Sequence, residues 1–267
     1  MSISEDQLNQ FKKKIKEKEQ LLYLTVTDPD TKKKINFSVK NNSTFWRGKT
    51  LFTKEPITIQ WIKSFKKNNI FFDIGANIGV YSLYAGINSN VKVYSFEPES
   101  NSFQTLMENI IINNQEKNIL AYPIGISNKT ELTKLHLSEF ATASSHHTVG
   151  KKALDHNSLK QISTRYKQGI FSTTLNELIK KWDLPIPNYI KIDVDGIEYK
   201  IIEQGEKIFQ NKKLLSILIE INEDRDKDKE IINILKSFGF IYDVNQVEKT
   251  KRKDGPHKNY VEYLFYR

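Results

Sequence analysis

Ile70 to Gly86 reads IFFDIGANIGVYSLYAG. The first five residues, Ile70-Phe71-Phe72-Asp73-Ile74, form an apolar run long enough for a buried strand and too short for a helix. Gly75 breaks the run. Beyond Asn77, the placing of Ile78, Tyr81, Leu83 and Ala85 suits a helix packed on a sheet. Strand, glycine turn and helix make the opening unit of a doubly wound α/β domain. Gly75 can turn with no Cβ in the way, and Gly79 is expected to let the helix approach the strand closely. The helix N-terminus leaves unpaired N–H groups above the carboxyl end of the strand, where a ligand can use them.

The spacing discriminates between ligands. A pyrophosphate calls for G-x-G-x-x-G, whereas here Asp73-x-Gly75-x-x-x-Gly79 puts a carboxylate just before the turn. A carboxylate there repels a phosphate and favours a cation. S-adenosylmethionine (SAM) carries a sulfonium and an amino group and no phosphate, so it fits better than a nicotinamide dinucleotide. Val91 to Phe96 (VKVYSF) reads as the next strand and runs into Glu97-Pro98. Glu97 falls about 20 residues beyond Gly75, at the strand tip, placed to accept hydrogen bonds from ribose hydroxyls.

Composition sets the outer bounds. The chain has 267 residues, 38% hydrophobic and 27% charged, the profile of a soluble globular protein with one large domain or a domain and an appendage. With no cysteine, disulfides and thiolate metal or redox sites are excluded. Met1 to Asp6 carries acid early and lacks the apolar core of a secretory signal. There is no apolar run of about 18 residues, so no transmembrane segment is expected and a cytoplasmic protein is the default. The formal charge of +9 admits an acidic partner such as RNA. The lysines are scattered rather than striped and arginine is scarce, so no nucleic-acid partner is expected. The oligomeric state has no signature in the sequence.

Along the chain, Ser4 to Gln20 carries a thin apolar stripe, Leu8, Phe11 and Ile15, and predicts a short amphipathic helix lying on the body. Leu21 to Val26 and Lys34 to Val39 alternate across Asp28-Pro29-Asp30, a hairpin signal. Phe45-Trp46-Arg47-Gly48 and Pro56 suggest an irregular link, and Ile57 to Phe65 a helix. Residues 1–60 therefore read as an N-terminal cap on a domain spanning 61–267. After Glu97-Pro98, Ser100 or Asn101 caps a helix to about Asn113, with Phe103, Leu106, Ile110 and Ile111 inward. Leu120 to Ile126 is a third strand, and the Gly125-Ile126-Ser127-Asn128 tip leaves room for an adenine ring, with Ser127 as a cofactor contact. Glu131 to Leu137 suggests an added strand.

Residues 138–170 are polar, hold three of the five histidines, and read as an acceptor-binding lid with some helix over Asn157 to Tyr166. Ser172 to Trp182 predicts a capped helix. Tyr189 to Val194 is a fourth strand, Ile197 to Gln204 a helix, and Leu214 to Ile221 a fifth strand. Asp228 to Phe238 is a helix. Phe240 to Val244 and Tyr260 to Tyr266 can pair antiparallel at the sheet edge, across a basic loop from Lys249 to Lys258.

Ligands of such sheets bind at the carboxyl ends of the strands. Strand four ends in Asp193-Val194-Asp195-Gly196-Ile197-Glu198, and alternation puts Lys191, Asp193 and Asp195 on one side. A charge inside a buried strand is costly unless paired, so Asp193 either pairs with Lys191 or sits at the mouth of a site. Methyl transfer to a hydroxyl needs positioning and a proton acceptor. Asp193 is the first candidate base, and His146 or His147, if the lid folds in, the second. Asp193, Asp195 and Glu198 could hold a divalent ion, but their spacing is not diagnostic and no metal is expected.

In this order, FFDIGANIGVYS, FEP, GISN, STTLNEL and KIDVDGIEYKIIEQG resemble the FkbM-type SAM-dependent methyltransferases, over about Phe45 to Phe240. The resemblance implies a seven-stranded, Rossmann-like class I methyltransferase fold with SAM as cofactor. It also implies O-methylation of a sugar, glycan or related small-molecule hydroxyl. Asp73, Gly75, Asn77, Gly79, Tyr81, Glu97 and Asp193 match its motif positions. At the place of Asp195 the family more often has Glu, which keeps the charge. Three rivals are an RNA methyltransferase, a nicotinamide dehydrogenase and a non-catalytic SAM-binding module. Amine-methylating members of the wider class tend to carry an N-P-P-Y-like turn after strand four, where this chain has Asp-Val-Asp-Gly.

Calorimetry is expected to show binding of SAM and not of NAD. Glu97→Ala should weaken SAM binding by roughly 1.5–3 kcal/mol, the scale of hydrogen bonds to a charged acceptor. Tight NAD binding without SAM binding would contradict the reading.

Overall fold

The computed structural model describes residues 4–19, 22–255 and 257–267. Helix α1 (Glu5–Glu19) forms as the apolar stripe predicts, but Leu8 and Phe11 are exposed, so the stripe does not lie against the body. The side chain of Ile15, together with Met1 to Ile3, Gln20 and Leu21, falls outside the described part. Strands β1 (Tyr23–Thr27) and β2 (Lys34–Ser38) pair antiparallel, turned around Asp28, whose Oδ1 accepts the N–H of Asp30 and of Thr31. The expected irregular link is instead helix α2 (Asn42–Lys49). Asn41 caps it, exchanging hydrogen bonds with Thr44 as a capping box. Pro56 opens helix α3 (Pro56–Lys63) rather than breaking the chain, since the first helical position needs no N–H.

The deciding stretch folds as its pattern requires. Strand β3 (Ile70–Ile74) leads through Gly75 to helix α4 (Val80–Tyr84), which widens into a π-helical turn over Ala85–Ser89. Strand β4 (Lys92–Phe96) follows. Helix α5 (Ser100–Ile112) is capped by Glu99, not by Ser100 or Asn101. The Glu99 carboxylate accepts the N–H of Asn101 and Ser102 at 2.9 and 2.7 Å. Leu106 and Ile110 are buried, whereas Ile111 faces solvent. The third strand, β5 (Ile119–Tyr122), stops before Pro123, and β6 (Gly125–Ile126) belongs to a second sheet.

That sheet continues with β7 (Glu131–Leu137) and β8 (Thr148–Val149). After the ribbon of β9 (Ala153–Leu154) and β10 (Gln161–Ile162) it takes in β11 (Tyr166–Thr173). No helix forms over Asn157 to Tyr166. Asp155 closes a turn on Ser158 instead, and β11 pairs along its length with β7. Part of the segment expected to be a lid is therefore strand. Helix α6 (Leu175–Lys180) starts later than anticipated, capped by Thr174, because Ser172 and Thr173 belong to β11. Next come β12 (Tyr189–Ile192), α7 (Glu198–Glu203), α8 (Glu206–Gln210), β13 (Ser216–Asn222) and α9 (Asp226–Ser237). The chain closes with β14 (Ile241–Tyr242), α10 (Val244–Thr250) and β15 (Tyr260–Tyr266).

The main sheet has seven strands in the order β14-β15-β13-β12-β3-β4-β5. The five strands from β13 to β5 are parallel, and β15 runs antiparallel to β13 and β14. This is the Rossmann-like, class I methyltransferase arrangement. From β3 the chain first builds outward through β4 and β5, then returns to place β12 on the other side of β3. A crevice opens at that reversal, above the carboxyl ends. Helices cover both faces, so the central strands are apolar almost throughout. Phe72, Ile74, Ile190, Ile192, Ile217 and Ile219 face one layer. Phe71, Tyr189 and Leu218 face the other, which also takes in Trp61 and the hairpin residues Ile35 and Phe37. Among the described residues no helix is long and apolar enough to cross a membrane.

Two glycines carry the turn. Gly75 has φ +80°, and a Cβ there would lie 1.9 Å from the carbonyl oxygen of Asp193. Gly79 has φ +82°, and its Cβ would meet Leu106 Cδ1 of α5 at 2.2 Å. Its role is thus contact with the neighbouring helix rather than with the strand. Gly75→Ala should cost at least about 2 kcal/mol, from a left-handed backbone and an overpacked site together. Gly169→Ala, where nothing lies within 4 Å of the added carbon, should stay within about 0.5 kcal/mol of wild type. Urea denaturation of both variants checks this.

Candidate functional site

The crevice encloses a cavity of about 640 Å³, within the usual range for small-molecule sites. Successive strand tips line it. Ile124 to Ile126 follow β5, Glu97 follows β4, Gly75 and Asn77 follow β3, Asp193 follows β12, and Glu220 lies near the end of β13. Neighbouring strands lie about 4.8 Å apart, so Glu97 and Asp193, two strands apart, are separated by roughly 10 Å.

Glu97 is only 6% exposed. Its two oxygens accept the N–H groups of Asn77 and Glu99, each at 2.8 Å. Burial, with the charges of Glu99 and Asp195 adding, pushes its carboxyl up to about 7 against those two hydrogen bonds. Asn77 takes φ +52° to reach it, and its side-chain amide donates to Ser144 O at 3.0 Å. Each Glu97 oxygen keeps a lone pair for a further donor.

Beside it lies a buried charge cluster. Lys191, 4% exposed, donates to Asp193 Oδ2 at 2.7 Å. The Tyr81 ring lies over the same ammonium, 5.1 Å from its centroid. Burial alone would raise the Asp193 carboxyl, but Lys191 and Lys54 outweigh it and hold it well below the usual carboxylate range. Burial would likewise depress Lys191, but Asp193, Glu55 and Asp73 hold it above its ordinary value. Asp73 turns away from the main cavity. Its Oδ2 accepts the Ser82 hydroxyl at 2.5 Å, and burial raises its carboxyl despite Lys191. Asp73 and Tyr81 line a small side cavity that shares Gly75, Asn77 and Asp193 with the main one.

The remaining expected residues divide. His146 and His147 both line the main cavity. The His146 N–H donates to Asp195 Oδ2 at 2.7 Å, with φ +63°. His147 is lowered by burial, and its Nδ1 accepts the Ser138 N–H at 3.2 Å. Ser127 lies elsewhere: its N–H donates to Thr173 O at 2.8 Å, and it lines a separate surface cleft with Lys129 and Lys200. Gly79 lines neither cavity. Asp193, Asp195 and Glu198 do not converge on a common ion. Glu198 turns back to accept the N–H of Val194 and Gly196, both at 3.1 Å, with Arg225 nearby.

Several cavity residues were not anticipated from the sequence. Arg47 and Lys54 reach in from α2 and the segment after it, and Arg252 and His257 from the segment before β15. Lys54 pairs with Glu55 and Arg252 with Glu220. Arg47 donates to the carbonyl of Ala143, and among the described residues no carboxylate pairs with it. These residues come from segments far apart in the chain, so no local spacing announces them.

The family described as Methyltransferase FkbM domain matches residues 73–242. A hexuronic acid methyltransferase, AglP of Haloferax volcanii, is 22% identical over 199 residues, 74% of each chain. Among solved structures, precorrin-6y C5,15-methyltransferase from Geobacter metallireducens GS-15 is similar with a TM-score of 0.47 and 14% identity. That match covers 82% of this chain and 91% of that one. TYW2 of M. jannaschii in complex with AdoMet has a TM-score of 0.45 and 12% identity, covering 93% and 88%.

The raised Glu97 carboxyl fixes a pH dependence. A carboxyl near 7 in the folded chain and near 4.5 unfolded binds its proton more tightly when folded. Its contribution to stability is therefore present below 4.5 and lost as pH rises toward 7. Glu97→Gln should gain on wild type by up to about 3 kcal/mol between pH 4.5 and pH 8, read from urea denaturation of the unliganded proteins. A variant that loses ground over that interval would contradict the assignment.

Proposed function

The chain belongs to the FkbM methyltransferase family and is a SAM-dependent methyltransferase; from that premise we propose that it methylates a hydroxyl of a sugar or glycan. The observation that carries the reading is Asp193. It is an ionised carboxylate at the end of a rigid strand, with about 30% of its side chain open, and it lines the same cavity as Glu97. A carboxylate there suits a hydroxyl acceptor, which must give up a proton. The hexuronic acid methyltransferase of Haloferax volcanii supports the sugar class. Arg47, a cavity cation free of carboxylate partners among the described residues, is suited to an anionic group on either substrate.

The residues present fit SAM. Ile124, Ile126, Leu135 and Val149 form an apolar slot for adenine. Glu97 offers its free lone pairs to the ribose hydroxyls. Gly75 leaves room where any side chain would strike the Asp193 carbonyl. Asn77, Arg47 and Asp193 surround the methionine end. Asp73 and Tyr81 support the site from the side cavity and Gly79 from behind the turn, whereas Ser127, in its separate cleft, takes no part in holding the cofactor. Residues 1–60 act as a cap that contributes Arg47 and Lys54, and 61–267 as the catalytic domain.

When bound, SAM supplies an electrophilic methyl group on a sulfonium. Asp193 accepts the hydrogen bond of the acceptor hydroxyl and takes its proton as the oxygen forms its new bond. Lys191 holds Asp193 in one orientation and keeps it ionised. The pairing makes Asp193 a weak base, so the proton moves late. His146 or His147 is the alternative acceptor of that proton. The apolar walls keep water from competing.

Asp193→Asn leaves Lys191 unpaired inside the sheet, so the single variant should lose stability as well as activity. The double variant Lys191→Met/Asp193→Asn separates the two. It should recover stability and bind SAM, while turnover stays down by on the order of 10²–10⁴. A stable, fully active double variant would remove Asp193 from the chemistry. Methyl transfer from labelled SAM should appear in uronic acid glycans and not in RNA, and label in RNA alone would overturn the acceptor class.

A further inference from the structure

Three of the chain's five histidines meet beside the cavity, and two of them line it. His146 comes from the loop after β7, His156 from the turn between β9 and β10, and His257 from the segment before β15. One ring nitrogen of each lies within 4.8 Å of the other two. His156 Nε2 and His257 Nδ1 are buried and have no hydrogen-bond partner among the described residues. Buried ring nitrogens are ordinarily paired, so these two are acceptors or donors awaiting a partner.

The backbone holds two of the three in place. His156 O accepts from Arg225 Nη1 and from the Tyr260 hydroxyl, both at 2.7 Å. His146 is pinned through its N–H to Asp195 and stays in the left-handed region, φ +63°, which a non-glycine residue adopts at a cost. Such strain persists where the surroundings impose it, often at functional positions. Sequence spacing cannot foretell the cluster, because 10 and 101 residues separate its members.

We propose that His146, His156 and His257 form a binding site for a divalent transition metal of the zinc class. The donor set decides the class. Three imidazoles suit Zn²⁺, Co²⁺ or Ni²⁺, whereas Mg²⁺ and Ca²⁺ require oxygen ligands. Three protein ligands leave further positions open, the pattern of catalytic rather than structural zinc. The His146 and His156 rings now stack, with centroids 3.8 Å apart and planes 9° from parallel. Binding therefore turns at least one ring about its Cβ–Cγ bond, until the nitrogens converge at the usual 2.0–2.1 Å from the ion.

His146 and His257 line the same cavity as Asp193, so an ion held there would be open to an acceptor in that cavity. On the sugar-acceptor reading above, on which this step rests, the ion would hold the acceptor hydroxyl and acidify it. The proton then passes to Asp193, the oxygen takes the methyl carbon, the carbon–sulfur bond breaks with its electron pair left on sulfur as the neutral thioether of S-adenosylhomocysteine, and the ion is unchanged. This would make a carboxylate tied to Lys191 a sufficient base.

The metal alone tests the site. Wild-type protein stripped with a chelator is titrated with Co²⁺. Visible absorption saturating at one equivalent, and displaced by Zn²⁺, is expected. His257→Ala should weaken Co²⁺ binding by more than about 100-fold, beyond what loss of an outer-shell partner costs. A second measurement needs no variant. Zn²⁺ should protect His146, His156 and His257 from carbethoxylation in wild-type protein, while His136, buried with both ring nitrogens hydrogen-bonded, stays unreactive with and without the ion. Absence of a one-equivalent cobalt band, unchanged affinity in His257→Ala, or absence of protection would each overturn the proposal. None of these readings needs SAM or an acceptor, so their failure is distinct from failure of methyl transfer.

Discussion

Lys191 must be neutralised, and the site is arranged around that need. It sits in β12, between two parallel neighbours at the centre of the sheet, where water cannot solvate its ammonium. Asp193 pairs with it, Tyr81 covers it, and the charges of Glu55 and Asp73 hold its proton. Strand register extends the group sideways. Lys191 lies opposite Asp73 and Asp73 opposite Ser95, and Ser82 joins the last two through its hydroxyl. A polar row thus crosses three strands inside an otherwise apolar sheet. Buried ion pairs rarely add net stability. The gain here is in geometry: the Asp193 carboxylate has one partner, one orientation and one charge state.

The same cluster ties the N-terminal segment to the sheet. Glu55 is buried at the start of α3 and pairs with Lys54; Asp193 acts on both, and Lys191 on Glu55. Trp61 of α3 donates its indole N–H to Ser216 of β13 at 2.8 Å. Phe65 stacks on Tyr189 of β12 with ring centroids 3.8 Å apart. A segment that reads in sequence as an appendage thereby supplies one wall of the cavity.

The side of the cavity at the tips of β3 and β4 was legible because it is local. Apolar run, glycine turn and acidic strand tip all fall within one βαβ unit, and each has a backbone reason for its place. The opposite side was not. Arg47, Arg252, His156 and His257 arrive from separate segments, and only the fold brings them together. Some local signals were present and outweighed by neighbouring residues. Asn41 and Thr44 form a capping box ahead of a stretch whose glycine and aromatics suggested a link. At Asn157 to Tyr166 the helical pattern lost to the turn at Asp155 and to the pairing of β11 with β7. Ser127 followed the right strand tip but lies beyond Pro123, where the chain has already left the main sheet.

The central claim is that one cavity holds the cofactor by Glu97 and presents its reactive end to Asp193. A crystal structure with S-adenosylhomocysteine tests this most directly. Expected are both ribose hydroxyls on Glu97, adenine in the slot of Ile124, Ile126 and Leu135, and the thioether sulfur on the Asp193 side of the cavity. A ribose bound away from Glu97, or a sulfur facing away from Asp193, would contradict it.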